Sequence, residues 1–262
     1  MLTRRELRNA FQSLGLQGQP VIAHTSIKAF GGIEHGAAAL LGALLESVAA
    51  LIVPTFTYKT MVTPPVGPPN NALIYGSDRD ANRMAELFHP NMPADPLMGC
   101  FPEIVRLHPK ARRSLHPILS FAGIQADRYL ATQTLFDPLA PIGALGNDGG
   151  WVLLLGVDHT VNTSIHYAEK LAGRQQFVRW ALTRQRIVEC PGFPGCSLGF
   201  QAIAPAVQSI TRKIEVGKAL VQAIPLTPLF KTVQTMIKEN SHALLCDRQD
   251  CERCQAIRNH QG

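Results

Sequence analysis

NTSIHYAE (162–169), a short polar turn after the apolar run WVLLLGV (151–157), decides the fold of this chain. The apolar run reads as a buried strand, and the octapeptide as a helix that opens with a cap. Asn162 or Thr163 supplies that cap by accepting a backbone N–H. His166 then falls in the first helical turn, at the positive end of the helix dipole. The dipole disfavours imidazolium, so the expectation is a neutral ring able to accept a proton. Glu169 lies three residues on, on the same helix face. A histidine beside a carboxylate at the end of a strand has the makings of a general base. The plainer reading is a capped helix whose His and Glu satisfy one another.

Strands and helices alternate outward from this unit. Residues 4–14 read as a charged amphipathic helix and VIAH (21–24) as a strand, with a turn over 25–32. A helix at about 36–49 runs into a strand at 50–56. The proline-rich stretch 61–71 is a surface loop, a helix begins near Pro102, and ILSFAG (118–123) is a strand. Residues 127–133 are helical, 136–143 are loop, 163–172 are helix, and 177–189 alternate like a hairpin without a clear turn. The last third mixes short strands with a helix at about 227–239. The pattern implies an α/β fold with a mostly parallel central sheet flanked by helices. No domain boundary is evident before residue 190, so residues 1–262 read as one domain in which 190–262 forms a cysteine-bearing lobe.

The 262 residues are ample for a core, and 46% hydrophobic with 17% charged residues is a globular composition. A net charge of +6 favours anionic partners in general. The basic residues are scattered apart from KARR (110–113) and do not interleave with aromatics, which argues against nucleic acid. The opening MLTRREL is no signal peptide. The apolar stretch 36–56 is interrupted by Glu46 and Ser47, so it reads as buried helix and strand, not a membrane span. A cytoplasmic protein without membrane attachment is expected, with a homodimer among the open oligomeric states.

Three further segments carry chemistry. HTSIKAFGG (24–32), between a strand and a helix, offers backbone N–H groups, the hydroxyls of Thr25 and Ser26, and Lys28; such a nest suits a phosphate or a carbonyl oxygen. RRSLHPILS (112–120) sets cations, a hydroxyl and an imidazole just ahead of a strand, and reads equally as a basic turn. GALGNDGG (143–150) precedes its strand, the wrong order for a dinucleotide fingerprint, and reads as turns. No GxSxG elbow supports a serine hydrolase.

HTSIKAFGG, VPTFT (53–57), RSLHP (113–117) and NTSIHYAE, in this order and spacing, resemble the aminoglycoside N3-acetyltransferase family from about residue 19 to 175, and more weakly to about 240. The resemblance implies an α/β fold distinct from the GCN5-related acetyltransferases, and transfer of acetyl from acetyl-CoA to an amine, with antibiotic resistance as the family's role. It implies that His166 is the catalytic histidine, with Glu169 its candidate partner. It implies that Thr25, Ser26, Lys28, Gly31, Gly32, Arg113 and Ser114 lie in blocks lining the cofactor site. Hydroxyls or N–H groups near Thr25 and Ser26 would stabilise the thioester oxygen, while Lys28, Arg112 and Arg113 would meet CoA phosphates. One departure concerns charge, since a basic chain repels a polycationic acceptor; Asp95, Glu103 and Glu169 are candidates for a local acidic cleft. Another amine is the alternative acceptor, and an inactive CoA- and zinc-binding protein the alternative role.

Five of the six cysteines follow residue 189. CDRQDCERC (246–254) contains a C-x-x-C, and CPGFPGC (190–196) carries turn residues between its ends. In a chain without a secretory signal, thiolate ligation of zinc fits better than disulfides. The expected ligands are Cys196, Cys246, Cys251 and Cys254, with Cys190 in reserve.

Overall fold

The computed structural model describes residues 1–76 and 82–259. Its centre is a seven-stranded sheet built from β1 (Pro20–Thr25), β2 (Ala50–Pro54), β4 (Ala111–Arg113), β5 (Phe121–Ile124), β6 (Trp151–Leu155), β9 (Arg212–Val216) and β10 (Ala219–Pro225), in the order β4-β5-β2-β1-β6-β10-β9. The three middle strands are mutually parallel, and five of the seven share a direction; only β5 and β10 run against them. A second sheet joins β3 (Met61–Val62), β7 (Phe177–Leu182) and β8 (Ile187–Phe193).

The unbroken apolar runs follow from burial on both faces of the central sheet. Ile22, Ile52, Val152, Leu154 and Ile224 enter one hydrophobic cluster; their neighbours Val21, Leu51, Val53, Leu153 and Leu155 enter the other. The second cluster is closed by α1 (Arg4–Ser13), α2 (Gly36–Leu45) and α3 (Cys100–Leu107). Thr3 and Glu6 form a capping box that starts α1. The Leu/Ala-rich α2 ends at Leu45, sooner than its composition suggests, and is buried against the sheet. No described helix is long and apolar enough to cross a membrane.

Four sequence expectations change. Residues 136–143 are not all loop and 143–150 are not all turns, because α5 spans Ala140–Asn147. Pro141 lies in its first turn, where a missing N–H costs nothing. Its glycines reflect close packing: a Cβ on Gly143 would stand 2.1 Å from the Tyr167 hydroxyl, and one on Gly146 2.6 Å from the Phe230 ring. The strand expected at 118–123 begins at Phe121, and Ile118 and Leu119 are buried in the turn before it. The helix at 127–133 shrinks to the single turn α4 (Asp127–Leu130). The segment from residue 190 contributes strands to both sheets. β8 crosses that boundary, and β9 and β10 extend the central sheet through a β10–β6 pairing. The polar turn 183–186, in which the Thr183 N–H donates to Arg186 O, closes the expected hairpin.

Candidate active site

A cleft of about 450 Å³ opens at the C-terminal ends of the parallel strands β1, β2 and β6. That is where open α/β sheets leave room for ligands. Its lining includes residues 23–28 after β1, Pro54 and Phe56 after β2, and Val157 with Thr160–Thr163 and His166 after β6.

His166 is placed as its sequence implies. α6 (Thr163–Leu171) follows β6, and the Asn162 side chain caps it by accepting the Ser164 N–H at 3.1 Å. The His166 ring packs edge-on against Phe200, with centroids 4.6 Å apart. Its Nδ1 lies 2.8 Å from Glu169 Oε2. Glu169 Oε1 in turn accepts from Arg174 Nη1 at 2.6 Å. Arg174 Nη2 donates to the carbonyls of Ser241 and Ala243, both at 2.8 Å. Side-chain exposure is 10% for His166, 2% for Glu169 and 1% for Arg174. Where the Glu169 carboxylate accepts from the Nδ1–H, a neutral ring keeps its lone pair on Nε2. His166 lines the cleft; Glu169 does not and cannot reach a substrate amine from there. Arg174, five residues beyond Glu169 and tied to residues 241–243, is the member of the chain that local spacing missed.

Thr25, Ser26 and Lys28 line the cleft, as expected. The Thr25 Oγ1 is buried without a hydrogen-bond partner among the described residues. The Ser26 N–H is engaged by Leu155 O at 2.9 Å, which leaves the hydroxyls of Thr25 and Ser26 as the side-chain donors of this segment. Gly31 and Gly32 do not reach the cleft; they turn the chain with φ of +78° and +145°, Gly31 packed against Lys218.

Arg113 and Ser114 also lie outside the cleft lining. Arg113 donates to Ser120 Oγ at 3.0 Å, to Thr55 O at 2.7 Å, and to the carbonyls of Pro90 and Met92. Burial pulls its guanidinium down to about 10. Ser114 Oγ accepts the Phe121 N–H at 2.8 Å. His116 Nδ1 accepts from the N–H groups of Ile118 and Leu119, and burial lowers its pKa to about 4. The RSLHP block is therefore a buttress. It holds the loop after β2 through Thr55 and Thr57, and that loop delivers Pro54 and Phe56 to the cleft. Arg112 is exposed, 3.9 Å from Asp127.

The expected acidic groups are occupied elsewhere. Asp95 caps a 3₁₀ turn by accepting the Leu97 N–H, and Glu103 pairs with Arg106 at 2.5 Å. No Asp or Glu is among the described residues lining the cleft, whereas Lys28 and Arg253 are. The lining also holds two groups that the sequence did not single out. Burial lowers the His24 pKa to about 3 and raises that of the Tyr58 hydroxyl to about 12, so both are uncharged at neutral pH.

The four expected cysteines converge. The sulfurs of Cys196, Cys246, Cys251 and Cys254 all lie within 4.8 Å of one another. Tetrahedral Zn–S bonds of about 2.3 Å require sulfurs about 3.8 Å apart, so the set fits one ion. The Leu198 N–H donates to Cys196 Sγ at 3.4 Å, which favours thiolate there. Cys190 is buried apart, its thiol directed at Val188 O and raised to about 12 by burial.

The family model for aminoglycoside 3-N-acetyltransferase matches residues 22–238. Aminoglycoside N(3)-acetyltransferase IX of Micromonospora chalcea is 34% identical over 183 residues, covering 65% of this chain and 63% of that protein. The chain thus spans just under two thirds of this relative's length. The crystal structure of the aminoglycoside acetyltransferase AAC(3)-IVa apoenzyme superposes with a TM-score of 0.79 at 24% identity, covering 98% of this chain and 97% of that one. AAC-IIIb in its binary complex with CoASH does so with a TM-score of 0.73 at 21% identity, covering 90% and 96%.

Proposed function

Given that the chain belongs to the aminoglycoside 3-N-acetyltransferase family, we propose that it transfers the acetyl group of acetyl-CoA to an amine, the family acceptor being an aminoglycoside-type aminocyclitol. One observation carries this reading: the hydrogen-bonded series Arg174–Glu169–His166 ends with a free imidazole nitrogen at the mouth of three parallel strands.

The acceptor amine is protonated in water and must lose a proton before it attacks. Once the ammonium has given that proton to solvent, His166 Nε2 takes a second one from the neutral amine as its nitrogen adds to the thioester carbonyl, a step worth about 10²–10⁴-fold. Imidazolium then forms beside the Glu169 carboxylate, which neutralises it in place; Arg174 holds that carboxylate in its rotamer. Glu169 is thus a positioning residue. The carbonyl oxygen gains charge in the tetrahedral intermediate, and the hydroxyls of Thr25 and Ser26 are the donors this segment offers it. Collapse expels the thiolate of CoA, which takes the proton back from the imidazolium, and leaves the amide. Lys28 supplies a cation for the phosphates of CoA.

Thiol release from acetyl-CoA against a panel of amines that includes 2-deoxystreptamine antibiotics tests the reaction. His166→Ala should abolish transfer while acetyl-CoA still binds. Near-wild-type turnover in a folded variant overturns the assignment.

Cys196, Cys246, Cys251 and Cys254 would hold one structural zinc, which supplies cross-linking and no chemistry of the acyl transfer. Elemental analysis of protein purified without chelator should find close to one ion per chain. Less than about a tenth counts against it, given the tight binding of such sites.

A further inference from the structure

Arg253 lies within the C-x-x-C that supplies two of the four converging thiols, yet it also lines the cleft. It is the second residue of α8 (Glu252–Asn259). Its Nη1 donates to Gly195 O at 2.8 Å, and Gly195 is another cleft residue, next to Cys196. Three cluster cysteines therefore flank the two ends of this one hydrogen bond. The guanidinium has no carboxylate partner among the described residues, and the described lining has none to offer. Its charge reaches Tyr58, where it opposes the effect of burial on the hydroxyl. A half-buried guanidinium with one carbonyl engaged keeps donors in reserve in a planar array that matches carboxylate or phosphate.

We infer that Arg253, fixed by the four-cysteine cluster, recognises an anionic oxygen group on a molecule bound in the cleft. The inference rests on the acyl-transfer reading and narrows its ligands. The anion is either a phosphate of CoA or an acidic substituent on the acceptor. In both cases the cluster shapes the cleft as well as tethering residues 246–254.

Two matched pairs of probes test it. Calorimetry compares CoA with pantetheine, which lacks the phosphates and the adenosine, so the change on substituting Arg253 is what is read. Acetyl-transfer kinetics compare glucosamine 6-phosphate with glucosamine. In the wild type, at least one pair should favour its anionic member about tenfold or more, the worth of one charge-assisted bond. Arg253→Gln should collapse that same preference, and Arg253→Lys should retain part of it. Collapse in the first pair assigns the anion to CoA; collapse in the second assigns it to the acceptor. Absence of any preference in the wild type, or an unchanged preference in Arg253→Gln, overturns the inference. Failure of the acyl-transfer reading is separately visible as absent turnover in the wild type, whereas CoA and pantetheine binding is read without turnover. Stripping metal from the wild type should reproduce the Arg253→Gln ratios. Ratios unchanged once zinc has left, as read by elemental analysis, overturn the role of the cysteines in holding Arg253.

Discussion

Glu169→Gln keeps the shape of the side chain and changes one thing that the hydrogen-bond pattern dictates. Arg174 is a donor only, so it must face an oxygen at position 169. The glutamine amide is thereby oriented with its carbonyl towards Arg174 and its NH₂ towards His166 Nδ1. Nδ1 must then accept, the proton moves to Nε2, and the atom facing the cleft can no longer take a proton from the amine. The expected loss is about 10²–10⁴-fold in kcat, the worth of a general base and of the correct tautomer where an acid orients a catalytic histidine. The substitution also leaves the buried Arg174 without its counter-charge. Breaking such a pair costs about 3 kcal/mol or more, which in a chain of this size lowers Tm by about 6–12 °C. Activity should therefore be read at 25 °C, with circular dichroism to establish folding and calorimetry to establish acetyl-CoA binding. Glu169→Asp keeps the charge, and should recover part of the rate. A folded Glu169→Gln enzyme with kcat within about threefold of wild type would refute the proposed roles of His166 and Glu169 together.

Thr25→Val removes the unpartnered hydroxyl without changing shape; kcat should fall by about 10²–10³-fold, the worth of one oxyanion donor, while CoA affinity stays the same, and an unchanged kcat removes Thr25 from the reaction. Stability should depend on pH through the histidines that burial keeps neutral, His24 with a pKa near 3 and His116 near 4, with His159 also lowered by burial. Below the unfolded value of about 6.5 the unfolded chain binds protons that the folded chain does not, so stability is full above that pH and is lost as pH falls towards the folded values. Each histidine contributes a slope of about 1.4 kcal/mol per pH unit inside that window. His116→Asn retains an acceptor for Ile118 and Leu119 and should remove one such slope; identical urea-unfolding slopes for variant and wild type between pH 5 and 6 exclude this account.

What the sequence made legible was local. The β6–α6 unit declares itself because an apolar run, a cap and a carboxylate at i+3 fall within twenty residues, and each is a short-range constraint. The four cysteines were legible for a different reason: thiol chemistry admits few uses outside a secretory context, so composition stood in for geometry. The glycine-rich segment 143–150 misled because small residues signal turns when read alone. Here they record how near Tyr167 and Phe230 come to α5, a demand set by two other helices.

The same distinction explains why the RSLHP block matched the resemblance and yet holds no cleft residue. A conspicuous cation, hydroxyl and imidazole suggested contact with cofactor. Their donors and acceptors instead meet backbone groups of residues 55, 90, 92, 118, 119 and 121, partners that no local pattern reveals. A block can therefore accompany a function by fixing the loop that carries the functional atoms. Arg174 and Arg253 present the converse. Neither stands in a suggestive motif of charges, but one completes the support of His166 from residues 241–243, and the other is carried into the cleft by a cysteine cluster some ninety residues beyond it. The four quoted blocks end by residue 169, yet later residues both support the base and line the cleft. The charge that Arg253 brings to the lining is therefore the feature to measure beside the NTSIH block.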